Sequence, residues 1–478
     1  MLRFAITSIL VVASAIGIHG GTAARADSPT YYKDVAAILQ NNCQDCHRPG
    51  QVAPFALSTY EQARKRGADI AHQTGERRMP PWPASTSRGG PFRDQRVLAD
   101  GDIATLKAWA DAGCPEGDAK DAPPAREFAG DWPLGTPDLI LTMPEPYELA
   151  ADGDDEFRVF VLKTDLPEDR WIKGVDFKPG NRKVVHHIIA GIDSSGRGRE
   201  LDAKDPKPGY FALGGFGDGV PIRAFLPIWT PGSRPRFAPD GTGYVLPSKA
   251  DLLIQMHYHK SGKAESDATQ VGLYLTDKPL PRQLRTGFVF PDISPVQQMK
   301  LAAKFQMAQS TGKRPSLDEM FRDVLVIPAG EANYPVKGST KEGTGLGRRP
   351  LSRDILVTSV MPHMHWLGKD FRFSAVLPDG QETRVPLIQV DRWDFNWQGT
   401  YAFAEPVRLP KGTYFEMEAH FDNSAANPAN PSQPPKLVHW GEQTNDEMCI
   451  GIFEFVVAEG ADGPQRDAIA RPQPPAKP

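Results

Sequence analysis

Histidine spacing is where this chain first points to chemistry. Of its 11 histidines, six fall into three tight groups: His186-His187, His257-Tyr258-His259 and His363-Met364-His365. Each group follows or interrupts an apolar run: Val184-Val185 before the first, Leu252 to Ile254 before the second, Ile355 to Val360 before the third. Successive side chains of a strand alternate faces, so His363 and His365 share a face, as do His257 and His259. His186 and His187 would need a twist or a bulge to act together. A pair of imidazoles on a rigid strand is a metal clamp. A core histidine bonded to backbone is the ordinary alternative for any one pair, and three strand-centred pairs weigh against it. Met448, in Asp446-Glu447-Met448-Cys449 ahead of a last strand, adds a thioether. Imidazole accepts either oxidation state of copper and methionine favours Cu(I), so this donor set suits a redox-active copper, whereas zinc would be served by histidine alone.

Cys43-Gln44-Asp45-Cys46-His47 is the C-x-x-C-H pattern of covalent haem c attachment, with two thioethers and His47 as an axial iron ligand. A helical segment, Tyr31 to Gln40, precedes it, and a second, Asp102 to Ala112, follows with Ile103, Leu106, Trp109 and Ala110 at helical spacing. Met79, in Arg78-Met79-Pro80, is the expected sixth ligand, with His72 or no side chain as the alternatives. A zinc or thioredoxin-type CxxC site explains neither His47 nor the two helices. Cys114 is expected to be a free thiol.

The elements that must position these groups change along the chain. Residues 27–118 are expected to form a small all-α cytochrome c domain, and 119–138, rich in Pro, Ala, Gly and acidic residues, a linker. Beyond it short strands alternate with turns: Phe157 to Leu162, Lys183 to Ile192, Leu252 to Tyr258, Gln270 to Leu275, Phe371 to Leu377 and Ile450 to Val457. Such spacing predicts β-sandwiches, and the length predicts two, at 139–280 and 281–460, divided where Pro279 and Pro281 interrupt the strands. Pro208 to Gly243 is expected as long loops, Met299 to Asp323 as a helical insertion, and 461–478 as a disordered tail.

With 478 residues, a net charge of −4, 46 Pro and 44 Gly, the chain is multidomain and turn-rich, and nothing in it suggests a nucleic-acid partner. Residues 1–26, with Arg3, an apolar core from Phe4 to Ile18 and Ala24-Arg25-Ala26, are expected to be a secretory signal; His19 within it has no role. No later stretch approaches a membrane span. The expectation is a periplasmic or secreted protein.

Taken in order, His-His (186–187), Gln-x-His-Tyr (255–258), His-x-His with Leu-Gly-Lys (363–369) and Asp-Glu-Met-Cys (446–449) resemble the copper type II, ascorbate-dependent monooxygenases, which include the peptidylglycine α-hydroxylating and dopamine β-monooxygenases. The resemblance covers roughly Asp138 to Glu459. It implies two tandem jelly-roll-like β-sandwiches with one copper in each, facing across a cleft. His186, His187 and His257 would hold the first copper; His363, His365 and Met448 would hold the second, the catalytic one, where O2 is bound. Gln255 matches a residue proposed to lie between the two metals. His259 has no ligand counterpart, and His439 is expected to be structural. Where the family has a cysteine paired with the position of Cys449, this chain has His420, so Cys449 is expected to be free and His420 to pack near Met448. The arginine and tyrosine with which peptide-amidating members hold a carboxylate correspond to Met361 and Ile452, which speaks against peptide amidation and for a less polar substrate.

The expected protein is therefore an exported haem c and dicopper monooxygenase. It would take O2, a small organic substrate and electrons from a periplasmic donor through its own cytochrome. The alternative is a periplasmic haem and copper electron-transfer or copper-binding protein without hydroxylase activity. A β-sandwich protein with a cytochrome appended would bind no copper at all.

Overall fold

A computed structural model describes residues 28–128, 130, 132–213, 215–217, 219–311, 321–341 and 349–458. The expected signal (1–26) and tail (461–478) lie outside these. The chain is mostly β-sheet with few helices, as the strand spacing requires.

Residues 139–283 build two sheets over one core. One sheet runs Arg282–Gln283, Thr242–Leu246, Arg170–Lys178, Gln270–Thr276, Leu139–Thr142; the other runs Tyr210–Phe211, Glu156–Lys163, Asp251–Tyr258, Val185–Asp193, Ile222–Phe225. A single buried cluster takes Ile172, Val175 and Leu273 from the first and Phe160, Ile188 and Ile254 from the second. The strand Asp251–Tyr258 is buried along its whole length. Its even-numbered residues, Leu252, Ile254, Met256 and Tyr258, enter that core. Leu253 packs in a separate cluster with Val159, Val161 and Phe216, so by alternation Gln255 and His257 also face away from the core.

The chain passes to a second pair of sheets between Gln283 and Arg285, close to the expected division. A four-stranded sheet has the order Arg285–Val289, Cys449–Val457, Ile355–Met364, Tyr401–Leu409. A five-stranded sheet has the order Ala84–Gly89, Arg384–Val390, Gly368–Val376, Tyr414–Phe421, Tyr334–Ser339. Val360 and Met364 go to the shared core, which leaves Ser359, Met361 and His363 on the opposite face of their strand. A helix, Pro295–Thr311, occupies the start of the expected insertion, and 312–320 lie outside the described residues. The expected loops 208–243 carry three short strands and the start of a fourth as well.

In the first 118 residues, helices Ala36–Asn42, Tyr60–Arg64, Gly67–Gly75 and Asp100–Asp111 surround Val35, Leu39, Ile70, Leu106 and Trp109. This part is not wholly helical, however. Ala84–Gly89 forms the edge strand of the last region's five-stranded sheet, with Ala84 opposite Val390. Flanking aromatics give the physical reason: Trp82 and Phe92 pack on Tyr401, with ring centroids 5.1 and 5.4 Å apart. Among the described residues no helix is long and apolar enough to cross a membrane.

Candidate metal centre

His257 lies directly opposite His187 on adjacent antiparallel strands, and the register slips between His257 and Tyr258, which pairs with Val185. The slip makes His186 the extra residue of a bulge and turns it to the same side as its neighbour, supplying what adjacent histidines lacked in a flat strand. Potential ligand atoms of His186, His187 and His257 lie within 4.8 Å of one another. Burial holds His186 neutral, pushing its pKa down to about 3, and pushes His187 well below its ordinary value. The Nδ1 atoms of both are buried without a hydrogen-bond partner. Unpartnered buried nitrogens are costly, and converging neutral imidazoles are what a metal ion takes.

The third histidine is held from behind. His257 Nε2 donates to Asp155 Oδ2 at 2.9 Å, which leaves Nδ1 for a metal. Asp155 also accepts from His259 Nδ1 at 2.9 Å and from the Thr444 hydroxyl. Burial pushes the Asp155 carboxyl up, but these three bonds outweigh it and hold its pKa well below the usual range. His259 itself is exposed and stands outside the cluster.

On the facing sheet, the ring centroids of His363 and His365 are 5.2 Å apart. His363 Nδ1 is 2.6 Å from Gln398 Oε1, and His365 Nδ1 is 3.0 Å from the Asp446 carbonyl. Each ring therefore keeps Nε2 free, and burial drives both pKa values down, His363 to about 4. The buried Glu447 carboxylate accepts the backbone amides of His365 at 2.9 Å and Leu367 at 2.6 Å, tying the strand that begins beside Met448 to the His-x-His turn. Met448 lines the same cavity as both histidine groups, a space of about 490 Å³ between the two pairs of sheets. Phe395 stands between the groups, stacked on His186 with ring centroids 4.8 Å apart and edge-on to His365 at 5.7 Å.

Two expectations meet a different arrangement. Gln255 lines the cavity, but its amide is spent on the carbonyls of Ala212 (3.1 Å) and Gly215 (2.6 Å). His420 bonds Asp370 at 2.9 Å on the outer five-stranded sheet, and it does not line the cavity that holds Met448. Cys449, opposite Met364, is a buried free thiol, as expected. His439 has a buried Nδ1 without a partner.

In the helical part, His47 Nδ1 donates to the Phe55 carbonyl at 3.1 Å, which leaves Nε2 for an axial bond. Cys43 and Cys46 are free thiols, and burial pushes Cys43 up to about 12. Met79 is half-buried, with its amide on the Gln73 carbonyl. None of these four lines the cavity. The motif instead abuts the loop that follows Trp229: Asp45 pairs with Arg234, and Arg96 donates to Gly232 at 2.5 Å. Trp229 in turn exchanges backbone bonds of 2.9 and 3.0 Å with Ile188, the neighbour of His187.

Spacing alone does not reveal Asp155, Thr444, Gln398, Glu447 or Phe395. Asp155 lies 102 positions from His257 and 289 from Thr444. The signal present in the sequence was its place in an acidic turn just ahead of a strand.

No family model matches the chain, and neither does a curated protein. Among solved structures it is similar to an allantoicase at 9% identity, over 62% of this chain and 80% of that one, with a TM-score of 0.17. A Bacillus subtilis oxalate decarboxylase is similar at 8% identity over 70% and 79%, with a TM-score of 0.12. The VP2 subviral particle of infectious bursal disease virus is similar at 9% identity over 67% and 81%, with a TM-score of 0.17. Likenesses this slight carry no argument.

Proposed function

We propose that the chain is an exported haem c and dicopper monooxygenase that hydroxylates a C–H bond of a small organic substrate with O2. In this reading a c-type cytochrome unit precedes two jelly-roll-like sandwiches. The observation that carries it is the convergence of His186, His187 and His257, with two buried unpartnered nitrogens, on a cavity that also receives His363, His365 and Met448. The first three fit one copper and the last three a second; Cys43, Cys46, His47 and Met79 fit one haem. Copper, when bound, supplies single-electron redox chemistry and activation of dioxygen.

The protein's own part is positional. Asp155 fixes the ring and tautomer of His257, Gln398 fixes His363, and the Asp446 carbonyl fixes His365. Phe395 keeps an apolar, water-poor wall between the two histidine groups. The ion pair of Asp45, inside the C-x-x-C-H segment, with Arg234 of the Trp229–Arg236 loop supports electron delivery from the haem segment toward the first group; the donor to the haem would be periplasmic.

The test is copper and haem content after maturation in a haem c-competent periplasm, together with product analysis under O2. We expect one haem and two coppers, falling to one copper in His363→Ala, and loss of product in Met448→Ala with haem intact. Zinc or no copper would overturn the reading. Two coppers without product from any substrate would leave an electron-transfer or copper-binding protein.

A further inference from the structure

The four-stranded sheet that carries His363 presents its outer face to the cavity in cross-strand rows. His363 is opposite Ile450. The next row is Phe288, Ile452 and Met361, aligned across three strands by the pairs Phe288 with Ile452 and Met361 with Ile452. All five side chains line the cavity, as does Met448. The row is continued by Phe290, 6.1 Å from Phe288 between centroids, and then by Phe321 and Trp440, at 5.7 and 6.1 Å from Phe290.

No side chain of the row is charged, and the charged groups that line the cavity, among them Asp176, Arg236 and Glu454, lie off it. Glu454, one row further on, accepts from the Tyr244 and Thr358 hydroxyls. Arg236 donates to the Thr400 carbonyl at 3.0 Å. A carboxylate or an ammonium laid on the row would lose its water against uncharged side chains, and a buried unpaired charge is strongly disfavoured. A flat apolar group would bury its surface against stacked and tilted rings, in a space of about 490 Å³ that suits a small ligand.

We infer that the row Phe288, Ile452 and Met361, with its aromatic continuation, is the specificity wall of this site, and that it takes an uncharged, flat, apolar portion of the substrate beside His363. The inference rests on the monooxygenase reading for the location of the chemistry, but the wall and its preference stand on the geometry of the cavity. Met361 and Ile452 are specificity-determining; neither is needed to hold a metal.

The experiment measures binding of naphthalene, 2-naphthoate and 2-naphthylmethylamine to the full haem-bearing chain, with and without copper. Naphthalene is expected to bind in both forms, and each ion at least tenfold more weakly. Met361→Arg is expected to weaken naphthalene at least tenfold and to strengthen 2-naphthoate by a similar factor. Ile452→Ala, a milder change that leaves the fold standing if the arginine does not, is expected to weaken naphthalene several-fold without favouring either ion. Either ion binding as tightly as naphthalene, no binding of naphthalene, or binding indifferent to both substitutions would overturn the inference. Wall-dependent binding without copper uptake sinks the monooxygenase reading alone, and copper uptake with no wall-dependent binding sinks this inference alone.

Discussion

Asp155 accepts hydrogen bonds from His257, His259 and Thr444 and so decides the orientation of a ring that has no other anchor on that nitrogen. An asparagine there presents one accepting oxygen where two are used. Asp155→Asn is expected to weaken copper binding at the first group by roughly 10–100-fold, the usual cost of losing a ligand's supporting bond; chelator competition measures it. Asp176 presents the opposite case, a buried carboxylate whose Oδ2 has no partner. Burial pushes its pKa from 3.8 up to about 6, so between those values the folded state holds a proton that the unfolded state has lost. Stability contributed by this group therefore falls as pH rises from about 4 to about 6 and is flat above. Asp176→Asn should remove that slope and add on the order of 2 kcal/mol at pH 7, visible as a higher urea midpoint at pH 7 and little change at pH 4. At this scale the histidines themselves were legible because period-two spacing shows within a few residues. Their supports were not, since a bond spanning 289 positions leaves no local trace.

Between elements, the bulge at His186 converts two neighbours on one strand into members of one cluster. The strand was legible from its β-branched residues, whereas the bulge depends on the register against Asp251–Tyr258 and is invisible in one segment alone. The edge strand Ala84–Gly89 shows the same limit: Ala-Ser-Thr-Ser-Arg-Gly has no apolar alternation, and it pairs because Trp82 and Phe92 dock on either side. Gly89 sits at φ +84°, and a Cβ there would stand 2.6 Å from the Leu387 carbonyl. Gly89→Ala is expected to cost about 1–3 kcal/mol and to hasten proteolysis within 84–93, read by mass spectrometry of the early fragments.

Across the whole molecule, three sequence regions are tied to one another by a few polar contacts: Asp45 to Arg234, Thr230 to the Gln398 carbonyl at 2.5 Å, and Asp155 to Thr444. The strand-rich character of residues 139–460 was legible, since turn residues recur at sandwich spacing. The mutual placement of the regions was not, because such contacts join surfaces that composition does not mark. Arg234→Glu sets like charge against Asp45 and is expected to loosen the helical part from the sheets, increasing the radius of gyration in solution scattering while leaving the far-ultraviolet dichroism unchanged. The strand Ala84–Gly89 also imposes an order in time. Arg93 bonds a carbonyl 311 positions later in the chain, so during synthesis the first region emerges long before its partners exist. It must wait with that segment unpaired until the last strands arrive and the closing sheet takes it in.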